Sequence, residues 1–192
     1  MPDLVLASTS PYRRQLLERL GVPFAAIAPA CDEEALKRPD LTPRALAESL
    51  ARAKADSLVP GHPLAAIIGG DQVATIDGRI LGKPGTAAKA AEQLALLAGR
   101  THELITAIVV RHGAQAHAHT DVTRLTMRRL DRAQIERYVA ADRPLDCAGS
   151  YKLECRGVAL FERIESDDHS AITGLPLIAL TRILTGLGFA IP

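Results

Sequence analysis

"DLVLASTSPYRRQLLERL", residues 3–20, sets an apolar run against three hydroxyl residues, a proline and two arginines, and ends in a leucine-bearing stretch. "DLVLAS" has the character of a strand. Ser10 is placed as an N-cap with Pro11 at the first helical position, so a helix follows at once. Strand, tight turn and helix in this order favour an α/β protein. The turn also poses a chemical question. Arg13 stands three and four residues before Leu16 and Leu17, on the apolar stripe, yet in the first helical turn, where the helix dipole disfavours a cation. Backbone N–H groups at the helix start, the hydroxyls of Ser8, Thr9 and Ser10, and one guanidinium make a phosphate site. An ordinary capped surface helix is the plainer reading. Arg14 faces Glu18 at i+4 and reads as a surface pair.

Working outward, "PFAAIAP" (23–29) reads as a second short strand and "CDEE" (31–34) as an acidic loop. Thr42 and Pro43 open a long helix that Pro60 and Gly61 end. "LAAIIGGDQVATIDGRILGKP" (64–84) reads as a buried strand turning at Asp77–Gly78, a dipeptide suited to a type I′ hairpin. A helix over 86–99 stops at Gly99, and a second hairpin over 102–129 turns at Gly113. Asp131 with Gln134 forms a capping box for a helix over 132–141. The loop "DCAGSYKLECRG" (146–157), a strand "VALFERI" (158–164) and a closing helix from about Pro176 to Leu187 complete the chain. Helices mixed with hairpins predict an α/β fold with a mixed sheet and flanking helices. The 192 residues, 47% of them hydrophobic, are expected to form a single domain over 1–192, two-lobed at most.

Composition narrows the function. A formal net charge of +1 provides no basic field for a nucleic-acid polymer, so a charged ligand must be met by a local cluster. Trp is absent and only three Phe and three Tyr occur, which removes the aromatic platform of a single-strand binder. Cys31, Cys147 and Cys155 are odd in number and form no CxxC pair, which points to a reducing compartment. The first apolar run is too short for a signal peptide, and no window approaches a membrane span. A cytoplasmic protein without a membrane partner is expected.

Two further clusters could carry chemistry. Asp71 ends an apolar strand after two glycines that allow close approach of a ligand or another segment. It reads as a general base, as an oxygen ligand for a divalent metal, or as a plain loop cap. Lys83 is a point charge able to meet a phosphate, or a solvated lysine. The acidic residues Asp32 to Glu34 fit magnesium beside a phosphate, or a solvated turn. Lys54 falls four residues after Leu50 on the inward stripe of its helix, so it either snorkels or serves function. His117 and His119 share one strand face, but no third ligand follows at zinc spacing. Neither a GxSxG elbow nor a Walker loop is present.

Six blocks in order, "LASTSPYRRQLL", "DEE", "ARAKA", "GGDQVATIDGRILGKP", "CAGSYKLE" and "GLPLIAL", resemble the Maf family of nucleoside triphosphate pyrophosphatases. The resemblance implies an α/β architecture with two lobes around a central cleft, related to inosine-triphosphate pyrophosphatases, and a homodimer. It implies hydrolysis of a nucleoside triphosphate to monophosphate and pyrophosphate with a divalent metal, Mg or Mn. Carried over by position, Asp71 looks like the proton acceptor, Ser8, Arg13, Lys54 and Lys83 like the phosphate-binding set, and Glu33 like a metal ligand. Tyr12, Gln72 and Glu154 match the selectivity positions of the 7-methyl-GTP branch. The dTTP/UTP branch typically carries Arg, Thr and Gln there. A nucleotide-binding regulator of cell division without turnover is the reading from another class.

Overall fold

In the computed structural model, which describes residues 3–38 and 40–191, the elements run as follows. They are β1 (Leu4–Ala7), α1 (Pro11–Glu18), β2 (Ala25–Ile27), α2 (Glu33–Leu36), α3 (Pro43–Asp56), β3 (Ala66–Ile76), β4 (Arg79–Leu81), α4 (Ala87–Leu97), β5 (Thr101–His112), β6 (Gln115–Met127), α5 (Arg132–Asp142), β7 (Phe161–Glu165) and α6 (Leu177–Gly186). The fold is mixed α/β. Seven strands form one sheet in the order β2-β1-β3-β5-β6-β7, with β4 paired to β3. β1 lies parallel to β2 and β3, while β4 and β7 are antiparallel to their neighbours.

Local sequence chemistry explains most boundaries. Ser10 Oγ accepts from the Arg13 N–H with Pro11 beside it, and Thr42, Thr86 and Asp131 cap α3, α4 and α5 in the same way. Asp131 and Gln134 complete a reciprocal capping box. Asp77 and Gly78 both take positive φ (49° and 77°), as a type I′ turn requires.

Three expectations need correction. "CDEE" is not a loop: the Asp32 carboxylate accepts from the N–H groups of Glu34 and Ala35 and so starts the short helix α2. α3 ends at Asp56, before Pro60, in a series of turns. Within "VALFERI", only Phe161 onward is strand, because residues 156–160 form a 3-10 turn. Its start is tight: the N–H groups of Cys155 and Gly157 both donate to the Lys152 carbonyl. A second 3-10 turn, His169–Thr173, was not foreseen.

The chain divides into two compact units. The first comprises residues 1–72, 106–121 and 168–192, the second 73–105 and 122–167. β3, β5 and β6 each run from one into the other. In the first unit the core joins alternate residues of three strands, Leu4, Leu6, Ala66, Ile68, Ile108 and Val110, to Leu16 and Leu17 of α1 and Leu177, Leu180 and Leu184 of α6. α3 also packs tightly on β3, at Gly69. A Cβ there would lie 2.2 Å from the Ala51 carbonyl oxygen and 2.6 Å from the Ala55 nitrogen. Both are helix backbone and cannot swing away. Gly69→Ala is therefore expected to lower the urea midpoint of unfolding, by the equivalent of about 1–3 kcal/mol or more for overpacking. A midpoint within experimental scatter of wild type would show that α3 can lift from β3 without cost.

Candidate active site

The first unit gathers most of the chemistry. α3 buries Leu46, Ala47, Leu50, Ala51 and Ala55 on one face, and Lys54 falls on that same face in the last turn, where the helix dipole favours a cation. Its side chain is 6% exposed and needs a partner. It has two. Nζ lies 2.7 Å from Asp71 Oδ1 and 3.0 Å from Glu33 Oε2. Asp71, itself buried, reaches this point from β3 just past the glycine contact with α3, and Glu33 from the first turn of α2. The acidic run thus divides its work. Asp32 caps α2, Glu33 meets Lys54, and Glu34 pairs with Lys37.

Arg13 comes to the same region from α1. Its Nε donates to the Gly174 carbonyl at 3.0 Å. Burial pushes the guanidinium below its usual pKa, against the opposing pull of Asp71 and then Glu33. Glycines make the slot: a Cβ on Gly174 would lie 3.4 Å from Arg13 Cγ and Nε, and one on Gly70 3.6 Å from Nε. Gly174 also has φ +119°, a conformation that other residues rarely adopt. Ser8 is buried at the end of the β1 strand, where its Oγ accepts from the Ser10 N–H at 3.1 Å. That leaves its hydroxyl proton available to a ligand. Tyr12, half-buried, is the neighbour of Arg13 on α1. Gln72 directly follows Asp71, and its Nε2 donates to Thr106 Oγ1 (2.8 Å) and to the carbonyls of Ala171 (2.9 Å) and Ile172 (3.1 Å).

Lys83 and Glu154 belong to the second unit, and both are exposed. Glu154 rides on a tightly wound loop. Gly149 and Ser150 both take positive φ (79° and 63°), and the buried Ser150 donates from Oγ to Gln93 Oε1 at 2.6 Å. The Lys152 N–H donates to Tyr138 Oη at 2.8 Å. Tyr151 is buried edge-on to Phe161, with ring centroids 4.9 Å apart, and its hydroxyl lies 2.9 Å from His102 Nε2. Burial pushes the His102 imidazole down to about 4 and the Tyr151 phenol well above its usual value, so this hydrogen bond joins two neutral groups.

Of the residues expected to bind phosphate, Ser8, Arg13 and Lys54 lie in the first unit, as do Asp71 and Glu33, whereas Lys83 lies in the second. The sequence reading missed the supports. Gly174 stood in a recognised block but was not tied to Arg13, 161 residues away. Thr106 was visible as a lone hydroxyl inside the apolar run "LITAIVV", and His102 as a histidine heading the same strand. Among the described residues, no group of three or more His, Cys, Asp or Glu is arranged to hold a metal ion.

What the first unit presents is a guanidinium, a hydroxyl and a lysine bridging two carboxylates, set on an α/β sheet. Donors and cations of this kind suit phosphate groups, and the carboxylates suit proton transfer or a hard cation. The family described as "Maf-like protein" matches residues 3–187, and the chain belongs to it. Relatives named "7-methyl-GTP pyrophosphatase" include one from Bdellovibrio bacteriovorus, 54% identical over 95% of both chains. Those from Xanthomonas axonopodis pv. citri and Pseudomonas syringae pv. tomato are 48% and 45% identical over the whole of both chains. Among solved structures, a HAM1 protein from Coxiella burnetii aligns over 99% of this chain and 100% of its own at 18% identity, with a TM-score of 0.48.

Two stability outcomes follow from this geometry. Lys54→Met strands two carboxylates, one of them buried, and should cost about 3–5 kcal/mol, whereas Asp71→Asn should cost less because Lys54 keeps Glu33. Urea unfolding of both variants decides this, and equal losses would show that Glu33 contributes nothing to holding Lys54. For His102, the unfolded imidazole takes up a proton below about pH 6.5 and the folded one only near pH 4, so stability falls as pH falls through that window. The loss between pH 7 and pH 5 should reach about 2 kcal/mol, and His102→Gln should remove it. A variant with the wild-type pH slope would show that the imidazole is protonated in the native fold.

Proposed function

We propose that this protein is a nucleoside triphosphate pyrophosphatase that hydrolyses 7-methyl-GTP to 7-methyl-GMP and pyrophosphate, a house-cleaning activity against a modified nucleotide. The observation that carries the reading is Asp71, a buried carboxylate paired with Lys54 and close enough to Arg13 to oppose the lowering of its pKa by burial, in a chain whose relatives are named for this reaction. In the proposed reaction Asp71 takes a proton from water as the water oxygen bonds to the α-phosphorus. The bond from that phosphorus to the bridging oxygen breaks, and pyrophosphate leaves with the bonding pair. Ser8, Arg13, Lys54 and Lys83 bind the triphosphate, and the cations among them offset the charge that develops on the leaving group.

A divalent cation, Mg or Mn, fits the residues present. Glu33 and Asp71 already converge on one ammonium, and magnesium typically binds one or two carboxylates together with substrate phosphates. Glu33 is its main protein ligand in this reading, and when bound the ion neutralises phosphate charge.

Base choice falls to Tyr12 and Glu154. Methylation at N7 gives guanine a positive charge, which an aromatic face attracts by about 0.5–2 kcal/mol. The guanine edge offers two adjacent N–H donors to one carboxylate, whereas uracil and thymine offer one donor flanked by acceptors that a carboxylate repels. Gln72, the third selectivity position, has its amide N–H groups committed to protein acceptors. The partner is a free nucleotide, not a nucleic-acid polymer or a membrane. The protein acts as a cytoplasmic homodimer, and its three free cysteines suit that compartment.

Pyrophosphate release from a panel of 7-methyl-GTP, GTP, UTP and dTTP tests the reading. Wild type should prefer 7-methyl-GTP, and Asp71→Asn should lower turnover about 100- to 10,000-fold. Glu154→Gln should shift the efficiency ratio of 7-methyl-GTP to UTP toward UTP by about tenfold. Preference for UTP in wild type assigns the protein to the dTTP/UTP branch. Binding without turnover on any substrate points to a regulator.

A further inference from the structure

We propose that Gln72 and Thr106 are positioning residues that aim Arg13 at the triphosphate through the turn spanning residues 169–174. The inference rests on Arg13 binding phosphate as described above.

Three protein acceptors surround one amide nitrogen of Gln72, which has only two protons to give. Two of these acceptors, the Ala171 and Ile172 carbonyls, belong to the 3-10 turn. Thr106, almost wholly buried on β5, donates from Oγ1 to the same Ala171 carbonyl at 2.9 Å while it accepts from Gln72. The turn is therefore tied to β3 and β5 by side chains. At its other end, Asp168 Oδ1 accepts from the Ser170 N–H at 3.0 Å and Oδ2 from the Ile178 N–H at 2.7 Å, while Ser170 Oγ accepts from the Leu177 N–H at 2.8 Å. The backbone between these ties presents the Gly174 carbonyl to Arg13 Nε.

That contact settles which edge of the guanidinium a ligand can use. Nε spends its single proton on Gly174, so the four protons on the two terminal nitrogens remain as the fork for a phosphate. A fork held in place loses less conformational freedom on binding than a free arginine. If the turn shifts, the carbonyl shifts, and the fork points elsewhere with its charge intact.

Inorganic tripolyphosphate, which has no base, is the probe, with binding measured by calorimetry at fixed magnesium. Thr106→Val, close in shape but unable to hydrogen-bond, should weaken it about ten- to a hundredfold, and Thr106→Ser should restore it. Gln72→Met should act as Thr106→Val does. For Thr106→Val, the efficiency ratio of 7-methyl-GTP to UTP should stay at the wild-type value. In an Arg13→Ala background Thr106→Val should add no further loss. Wild-type tripolyphosphate affinity in folded Thr106→Val or Gln72→Met would overturn the inference, as would a changed base ratio in Thr106→Val. Full additivity with Arg13→Ala would do the same. If Arg13→Ala alone left the affinity unchanged, the phosphate role of Arg13 would fall first and this inference with it. If Thr106→Val does not fold, Gln72→Met at its half-buried position decides alone.

Discussion

A lysine ammonium cannot stay dry without an opposite charge, and the first unit is arranged around that constraint at Lys54. Three separate segments must arrive together: the last turn of α3, the middle of β3 and the first turn of α2. The glycine at 69 lets α3 press on β3 closely enough for the lysine and Asp71 to meet. Such a buried pair is a poor source of stability, because desolvation offsets most of the attraction. In the reaction proposed above the pair has a task, because the lysine is shared between protein carboxylates and ligand oxygens when the triphosphate enters. Without that task, an apolar pair of the same volume would serve the fold as well.

Legibility in the sequence followed distance along the chain. The Ser10–Pro11 start, the Asp77–Gly78 turn and the Asp131–Gln134 box are local devices whose partners lie within a few residues, and each was readable from residue type and spacing. "CDEE" misled because a run of like charges looks like one object. The fold gives its members three different partners, one of them Lys54, and nothing in the run predicts which residue faces it. Asp71 and Lys54 were each conspicuous, one as a carboxylate closing an apolar run and one as a cation on an inward stripe. Their pairing became visible only once the strand and helix were packed.

Gln72 shows the opposite limit. Its match to a family selectivity position implied a part in base choice, but a side-chain amide can also tie a strand to a nearby turn, and periodicity cannot distinguish these uses. The hydrogen bonds show the second use, through carbonyl acceptors that lie 99 and 100 residues away. The aromatic support under the Glu154 loop was hidden for a similar reason. His102 and Tyr151 are far apart in sequence, and a neutral pair bears no charge pattern to betray it.

The discontinuity of the first unit has a consequence for biosynthesis. Its core joins leucines of β1, near the amino terminus, to Leu177, Leu180 and Leu184 of α6. A nascent chain therefore cannot close that core on the ribosome until residues 168–192 have been made and released from the exit tunnel. The second unit, whose segments end at residue 167, has no such dependence on the last helix. Contacts spanning nearly the whole sequence slow folding and leave apolar strand faces uncovered meanwhile. During synthesis the surface most in need of a chaperone is thus the face of β1 and β3 that α6 will cover, on a sheet whose β3 also carries the buried Asp71.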